Sequence, residues 1–430
     1  MNKLTRNDYT EVGNDTTAQV SIRVCMHALR ASRNDVRAMR AATTLVEAGY
    51  VVSLVDVEPD NECTASEENI NGVNVHHIIV PGSFVTTRFN KRWVLTRALW
   101  MFLRATLRLV RTPADIYHAL DLPALPACYI AARLRRKPLV FETYELPLCT
   151  LPTSELNTSR RLLQALLKPL LAHILPRCAA VIAVSPSIVQ AMSQYYHIAN
   201  VSLIRNIPEY QVVQKNDSLR HLLGLNSEER IALYQGNLQP GRGLERLVQS
   251  ALFLERNITI VIMGKDEFGT QAQLESLIAR EKNAERVKIT PPVPYNELLH
   301  WTASADIGLI VNPPDYSLNI QMLLPNKLFE FLMAGLPVLS SPLECVVEVI
   351  RTYDVGLVLE SLAPEDIGAA INAMLAGREA LARMRRNALH IAQQELNWGK
   401  EQDRLLRLYR GMLAKAPFDS QLANIVEATK

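Results

Sequence analysis

Apolar positions along this chain follow two rhythms that alternate. Short runs, β-branched or continuously apolar, occur at Ser21–Met26, Val51–Val57, Val73–Val80, Asp115–His118, Leu139–Glu142 and Ala180–Val184. Spans with helical spacing of apolar residues lie between several of them, among them Asp35–Ala48 and Ala124–Leu134. That alternation marks βαβ units with buried parallel strands. The theme then begins again. Strand-like runs at Arg230–Tyr234, Ile258–Met263, Arg286–Ile289, Ile307–Val311 and Pro337–Ser340 enclose helical spans at Leu244–Leu254, Thr270–Lys282, Asn296–Ala303 and Asn326–Ala334. Two doubly wound α/β halves are predicted.

The halves join near Ile204-Arg205-Asn206-Ile207-Pro208, where a strand runs into a proline turn. The pattern divides the chain into a polar tail (1–19), an N-terminal Rossmann-like domain (20–207) and a C-terminal one (208–394). A helix over about Glu395 to Met412 follows, within a segment (395–415) expected to pack back toward the first domain, and then a second tail (416–430). Ligands of such sheets sit at the carboxyl ends of the strands, so a shared central cleft is expected to bind two substrates.

One short segment carries chemistry of its own. Leu324 to Val338 reads as a Pro-Asn start, a helical spread of apolar residues and a Gly-x-Pro stop. Lys327 and Glu330 stand three apart, so they share a helix face. A helix N-terminus, a cation and a carboxylate together suit a nucleoside diphosphate, with amides and Lys for phosphate and Glu for ribose hydroxyls. The alternative is a surface ion pair.

Composition narrows the class. The chain has 430 residues, 48% hydrophobic and 21% charged, which describes a globular protein of two domains. A net charge of +3 gives no argument for nucleic acid. Six scattered cysteines show no metal spacing and read as free thiols of a reducing cytoplasm. No secretory h-region and no long apolar run appear, so a cytoplasmic protein is expected.

The run Tyr234-Gln235-Gly236-Asn237-Leu238-Gln239-Pro240-Gly241-Arg242-Gly243-Leu244-Glu245 resembles the glycine loop of the GT-B glycosyltransferases, most closely the retaining family 4 group. The likeness covers about residues 20 to 415. It implies a GT-B architecture of two Rossmann-like domains, the first for the acceptor and the second for a nucleotide-sugar donor. Gly236 and Asn237 then belong to the donor loop, and Arg242 grips the donor diphosphate. The strand and glycine turn Ile260 to Lys265 are similar to the family's next element, placing Gly264 and Lys265 under the nucleotide. Glu330 matches the second glutamate of the family's Glu-x7-Glu motif, which binds ribose. The first glutamate of that motif falls at Met322, which cannot bind sugar hydroxyls. The donor sugar is therefore expected on loop amides around Ser317–Gln321, with Asn319 as a side-chain candidate.

On the acceptor side, Asp115 to Asp121 resembles the family strand that ends in a histidine, which suggests His118 as a catalytic or acceptor contact. Val140 to Leu146 is similar to the following strand, with Glu142 and Tyr144 replacing two usual residues and Glu145 on the acceptor side. The first loop, His27 to Arg37, lacks the usual glycine pair. It carries Arg30, Arg33 and Arg37, which either meet an acceptor phosphate or face solvent.

Two further segments are basic and amphipathic. Arg88 to Arg111 holds seven Lys/Arg and no acid, interleaved with Trp and Leu. Asn157 to Cys178 repeats the pattern more weakly. Such faces suit an anionic lipid surface; the rival reading is a core stripe with a solvated basic face. The resemblance implies retaining transfer of a sugar from a nucleotide diphosphate to a glycan hydroxyl, and the basic segments suggest an acceptor that is lipid-linked and held at the inner face of the cytoplasmic membrane. Arg242 and Lys327 take the catalytic charge of the leaving group, with no cofactor and no metal. A nucleotide-sugar 2-epimerase of the same fold and a non-catalytic GT-B scaffold are the other readings.

Overall fold

The computed structural model describes residues 21–63, 65–81, 91–149, 158–266, 268–281 and 285–415, without the side chains of 91–95, 159 and 415. Both expected tails, and the starts of the two basic segments at Arg88 and Asn157, lie outside the described residues.

The first sheet contains β1 (Arg23–His27), β2 (Val51–Pro59), β3 (Glu67–Ile70), β4 (Val73–Val80), β5 (Ile116–Leu120), β6 (Leu139–Thr143), β7 (Ala180–Ala183) and β8 (Val201–Leu203). Their spatial order is β3-β4-β2-β1-β5-β6-β7-β8. Only β3 runs antiparallel, against β4 at the edge. The second sheet holds β9 (Arg230–Gln235), β10 (Ile258–Met263), β11 (Val287–Thr290), β12 (Ile307–Ile310), β13 (Val338–Ser340) and β14 (Gly356–Val358). Its order is β11-β10-β9-β12-β13-β14, and every ladder in it is parallel.

The central strands are buried on both faces: β5, β6, β10 and β12 are buried at every position. Helices on both sides of a parallel sheet require this, which is why these segments read as unbroken apolar runs. The order in which strands are added reverses beside β1 in the first sheet and beside β9 in the second. Crevices open at such switch points, so both sheets present their binding edges to the space between the halves.

The strand expected before the proline turn is β8, and two strands escape the apolar pattern. β14 is three residues long, too short for a rhythm to register. The edge strand β3 reads Glu-Glu-Asn-Ile and is at most half-buried. The helix expected over 395–412 begins at Trp398, and residues Arg378–Gln394 form a separate helix before it. Helix Trp398–Lys415 closes on the first half. The Trp398 indole donates to Thr44 Oγ1 at 2.9 Å, and Leu405 and Tyr409 are buried in the core of the N-terminal sheet.

Candidate functional site

Between the halves lies a cavity of about 630 Å³, a size suited to a nucleotide sugar. Its C-terminal wall is built from the ends of β9 and β10 and the helix Asn326–Met333. That helix starts at Pro325, an extended residue with no side-chain cap, so its first amides remain open to a ligand. Lys327 and Glu330 each keep 9% of their surface, and both line the crevice.

Their surroundings differ. The Lys327 ammonium sits 3.6 Å from the centroid of the Tyr234 ring, and no hydrogen-bond acceptor reaches its Nζ. Burial, with the Arg242 cation nearby, drives its pKa well below the usual lysine range, against the pull of Glu330. Glu330 accepts from Gln235 Nε2 at 2.5 Å. Burial pushes its carboxyl up, opposed by the Gln235 bond and by Lys327 and Arg40. Gln235 is itself anchored, taking the Thr302 hydroxyl at 2.8 Å. A carboxylate held from one side offers its remaining lone pairs to a ligand.

Two glycines let the backbone come this close. A Cβ on Gly264 would stand 1.9 Å from the Gly236 carbonyl oxygen, and Gly236 adopts a φ of 128°. A side chain at Gly264 would push the two turns apart, and one at Gly236 would strain a backbone that only glycine adopts readily. Arg242 follows on the same loop; with the Gln239 amide in its bonding orientation, Nε and Nη2 donate to that oxygen at 3.0 and 2.8 Å.

The opposite wall carries Arg30, Asp35, Arg37, Asp121, Tyr144 and Glu145. Arg37 is 4% exposed, donates through Nε to Glu142 and through Nη2 to the Ile204 carbonyl at 2.9 Å, and leaves Nη1 without a partner. Glu142 is buried, which alone would raise its carboxyl. Arg37 and the neighbouring His118 outweigh that and hold it down at about 2. Burial instead raises the carboxyls of Asp35, Asp121 and Glu145. Asp121 takes a φ of 68°, an uncommon backbone for a non-glycine residue and a feature of functional turns.

These features coincide with two family descriptions. Residues 35–207 match "Glycosyltransferase Family 4", and residues 216–390 match "Glycosyl transferases group 1". The chain belongs to these GT-B glycosyltransferases. D-inositol 3-phosphate glycosyltransferase of Nocardia farcinica is 28% identical over 199 residues, 44% of this chain and 42% of that protein. The chain thus spans less than half the length of the curated relatives it matches. Among solved structures, sucrose-phosphate synthase of Thermosynechococcus elongatus is similar at a TM-score of 0.75 and 14% identity, over 92% of this chain and all of the other. HepE of Anabaena, solved with UDP and glucose, has a TM-score of 0.68 at 15% identity, covering 91% of this chain and 100% of its own.

Of the residues expected to form the site, Gly236, Asn237, Arg242, Gly264, Lys265, Lys327 and Glu330 all line one cavity, as do Arg37 and Glu145. Three expectations need correction. His118 is fully buried, its Nδ1 2.8 Å from the Tyr409 hydroxyl and its Nε2 3.2 Å from Glu142, and it does not line the cavity. Asn319 faces the N-terminal half, where its Oδ1 accepts from the Leu146 amide at 3.0 Å. The neighbouring donor-loop residues form a short helix, Leu318–Gln321, capped by Ser317, and the crevice wall there is Leu323 to Asn326. Arg33 turns away to Glu68. Met322, at the place of the family's first glutamate, lends its carbonyl to the Ser185 hydroxyl at 2.8 Å and joins the halves. Sequence reading passed over Asp121, Gln235, Arg40 and Tyr295. The last two meet through Arg40 Nη2 and the tyrosine hydroxyl, 3.0 Å apart.

Proposed function

We propose that this chain transfers a sugar from a nucleotide-diphosphate donor to a hydroxyl of a glycan acceptor, with retention. The observation that carries the reading is the buried Lys327 ammonium, which has an aromatic face below it and no acceptor of its own. A diphosphate placed between Lys327 and Arg242 would complete both cations, and Glu330 would receive the ribose hydroxyls. As the bond from C1 of the sugar to the diphosphate breaks, negative charge grows on the leaving oxygen. Fixed cations in a closed crevice stabilise that charge without reorganising. The acceptor oxygen bonds to C1, and its proton passes to the departing diphosphate, which becomes more basic as it leaves. With two cationic side chains in this role, the transfer step itself is expected to need no metal.

The acceptor is a glycan presented at an anionic membrane, at its inner face. Supporting this, helix Lys91–Arg111 exposes Leu99, Leu103 and Leu107, and helix Thr158–Ile174 exposes Leu162, Leu163, Leu166 and Leu170. Arg104, Arg111 and Lys168 stand exposed among them. No helix among the described residues is long and apolar enough to cross a membrane, so contact would be peripheral.

The test is a thermal-shift screen of nucleotide sugars, followed by transfer to lipid-linked glycans and NMR of the product's anomeric configuration. UDP sugars come first, because HepE is described with UDP and with UDP-glucose. A matching donor near 100 Kd should add about 2.7 kcal/mol. 2′-Deoxy-UDP should bind more weakly than UDP to the wild type and equally to Glu330→Ala. A donor that shifts Glu330→Ala and Lys327→Met as it shifts the wild type would refute the site.

A further inference from the structure

At the edge of the first sheet, away from the crevice, two carboxylates and an imidazole converge. Asp56 and Glu58 are two apart on β2, so their side chains leave the same face. His77 on β4 is the register partner of Asp56. One oxygen of each carboxylate and one ring nitrogen lie within 4.8 Å of one another, and all three residues are buried. His77 Nδ1 is 2.7 Å from Asp56 Oδ1, and its Nε2 is 3.1 Å from Glu68 Oε1. The Ser32 amide donates to the other Asp56 oxygen at 2.8 Å.

Glu58 breaks the pattern of satisfied groups. It is 1% exposed, and its Oε1 has no hydrogen-bond partner. A buried carboxyl oxygen left bare is costly, and a second carboxylate beside it adds repulsion. Arg33, the neighbouring cation, is spent on Glu68 at 3.1 Å and on Cys63 Sγ at 3.6 Å.

We propose that Asp56, Glu58 and His77 bind a divalent transition-metal cation. Two carboxylate oxygens and one imidazole nitrogen suit Zn²⁺ or Mn²⁺, with water in the remaining positions, whereas Ca²⁺ and Mg²⁺ favour all-oxygen sets. The outer partners fit as well. A ligating imidazole commonly donates its other N–H to a carboxylate that fixes its orientation, and Glu68, clamped by Arg33, stands where His77 Nε2 needs one. On binding, His77 Nδ1 would turn its lone pair to the cation while Nε2 stays on Glu68. Ser32 and Arg33 belong to the loop that brings Arg30 and Asp35 to the crevice wall, so the cation would pin that loop to the sheet. Its role is structural and separate from the transfer step.

The full chain, stripped with EDTA and dialysed, should be titrated with Zn²⁺ and with Mn²⁺ by calorimetry and thermal melting. One cation per chain and a rise of several degrees in melting temperature are expected. Glu58→Gln, nearly isosteric, should bind at least tenfold more weakly. In chelator it should melt no lower than the stripped wild type, since it removes a buried charge. Uptake of neither cation by the wild type, or equal uptake by Glu58→Gln, would mean that Glu58 simply holds a proton, and the proposal would fail.

Discussion

The Lys327 ammonium stands over the ring of Tyr234 at 3.6 Å, with no acceptor to complete it. A buried cation kept this way lowers the stability of the free protein and gains its partner only with a ligand. Lys327→Met should therefore leave ligand-free stability unchanged or raise it by about 1 kcal/mol, while donor affinity falls by about 10- to 100-fold. Urea unfolding and donor titration together check both halves.

The same lysine sets a pH dependence. Its pKa in the free fold lies well below the ordinary lysine value, so the charged form is disfavoured in the free fold. That destabilisation is complete below the folded pKa and fades as pH rises toward the unfolded value. A bound diphosphate would raise the pKa again, so binding takes up a proton and affinity declines as pH climbs past the free-state pKa. Calorimetry in buffers of different ionisation enthalpy would count that proton. Zero uptake at every pH between neutral and 10 would contradict this assignment.

Glu142 behaves in the opposite sense. Its folded pKa of about 2 lies below an ordinary value of 4.5. The stability it lends is complete above the unfolded pKa and is lost as pH falls from there through about 2. A depression of that size corresponds to about 3 kcal/mol. Glu142→Gln strands the buried Arg37 guanidinium and should cost about 3–5 kcal/mol at neutral pH. The variant should also lose much of the acid sensitivity, which denaturation at pH 7 and pH 3 would reveal.

Gly264→Ala tests the approach of the two glycine turns. The added methyl would meet the Gly236 carbonyl oxygen at 1.9 Å, backbone that cannot rotate aside. A cost of about 1–3 kcal/mol and loss of the nucleotide-induced thermal shift are expected. Retention of that shift would show that the loops are more tolerant than the spacing implies.

Membrane contact is tested on the exposed cations. Changing Arg104, Arg111 and Lys168 to Gln should weaken sedimentation with anionic vesicles by about 1 kcal/mol for each charge removed, and high salt should act likewise. Equal sedimentation of variant and wild type would leave the exposed leucines without that explanation.

Much of the architecture was legible because parallel strands covered on both faces must be continuously apolar, as in β10, Ile258–Met263. Lys327 and Glu330 could be paired from a spacing of three because helical geometry is regular. The acceptor rim was not legible, for a local reason. The apolar run suggested a strand ending at His118, but β5 continues to Leu120. The strand end thus moves from the histidine to Asp121, and the histidine is drawn under the sheet edge. The donor loop failed similarly, since a helical turn as short as Leu318–Gln321 leaves no periodicity. Gln235 carries no signal in sequence, because its role depends on Thr302 and Glu330 arriving from distant elements.

Helix Trp398–Lys415 has a consequence for how the chain assembles. Trp398, Leu405 and Tyr409 fill the core of the N-terminal sheet, yet they leave the ribosome only after the second sheet. Until they arrive, the earlier half must persist with an open apolar flank and with His118 lacking its tyrosine. Completion of the earlier sheet therefore waits on a helix made after the second one.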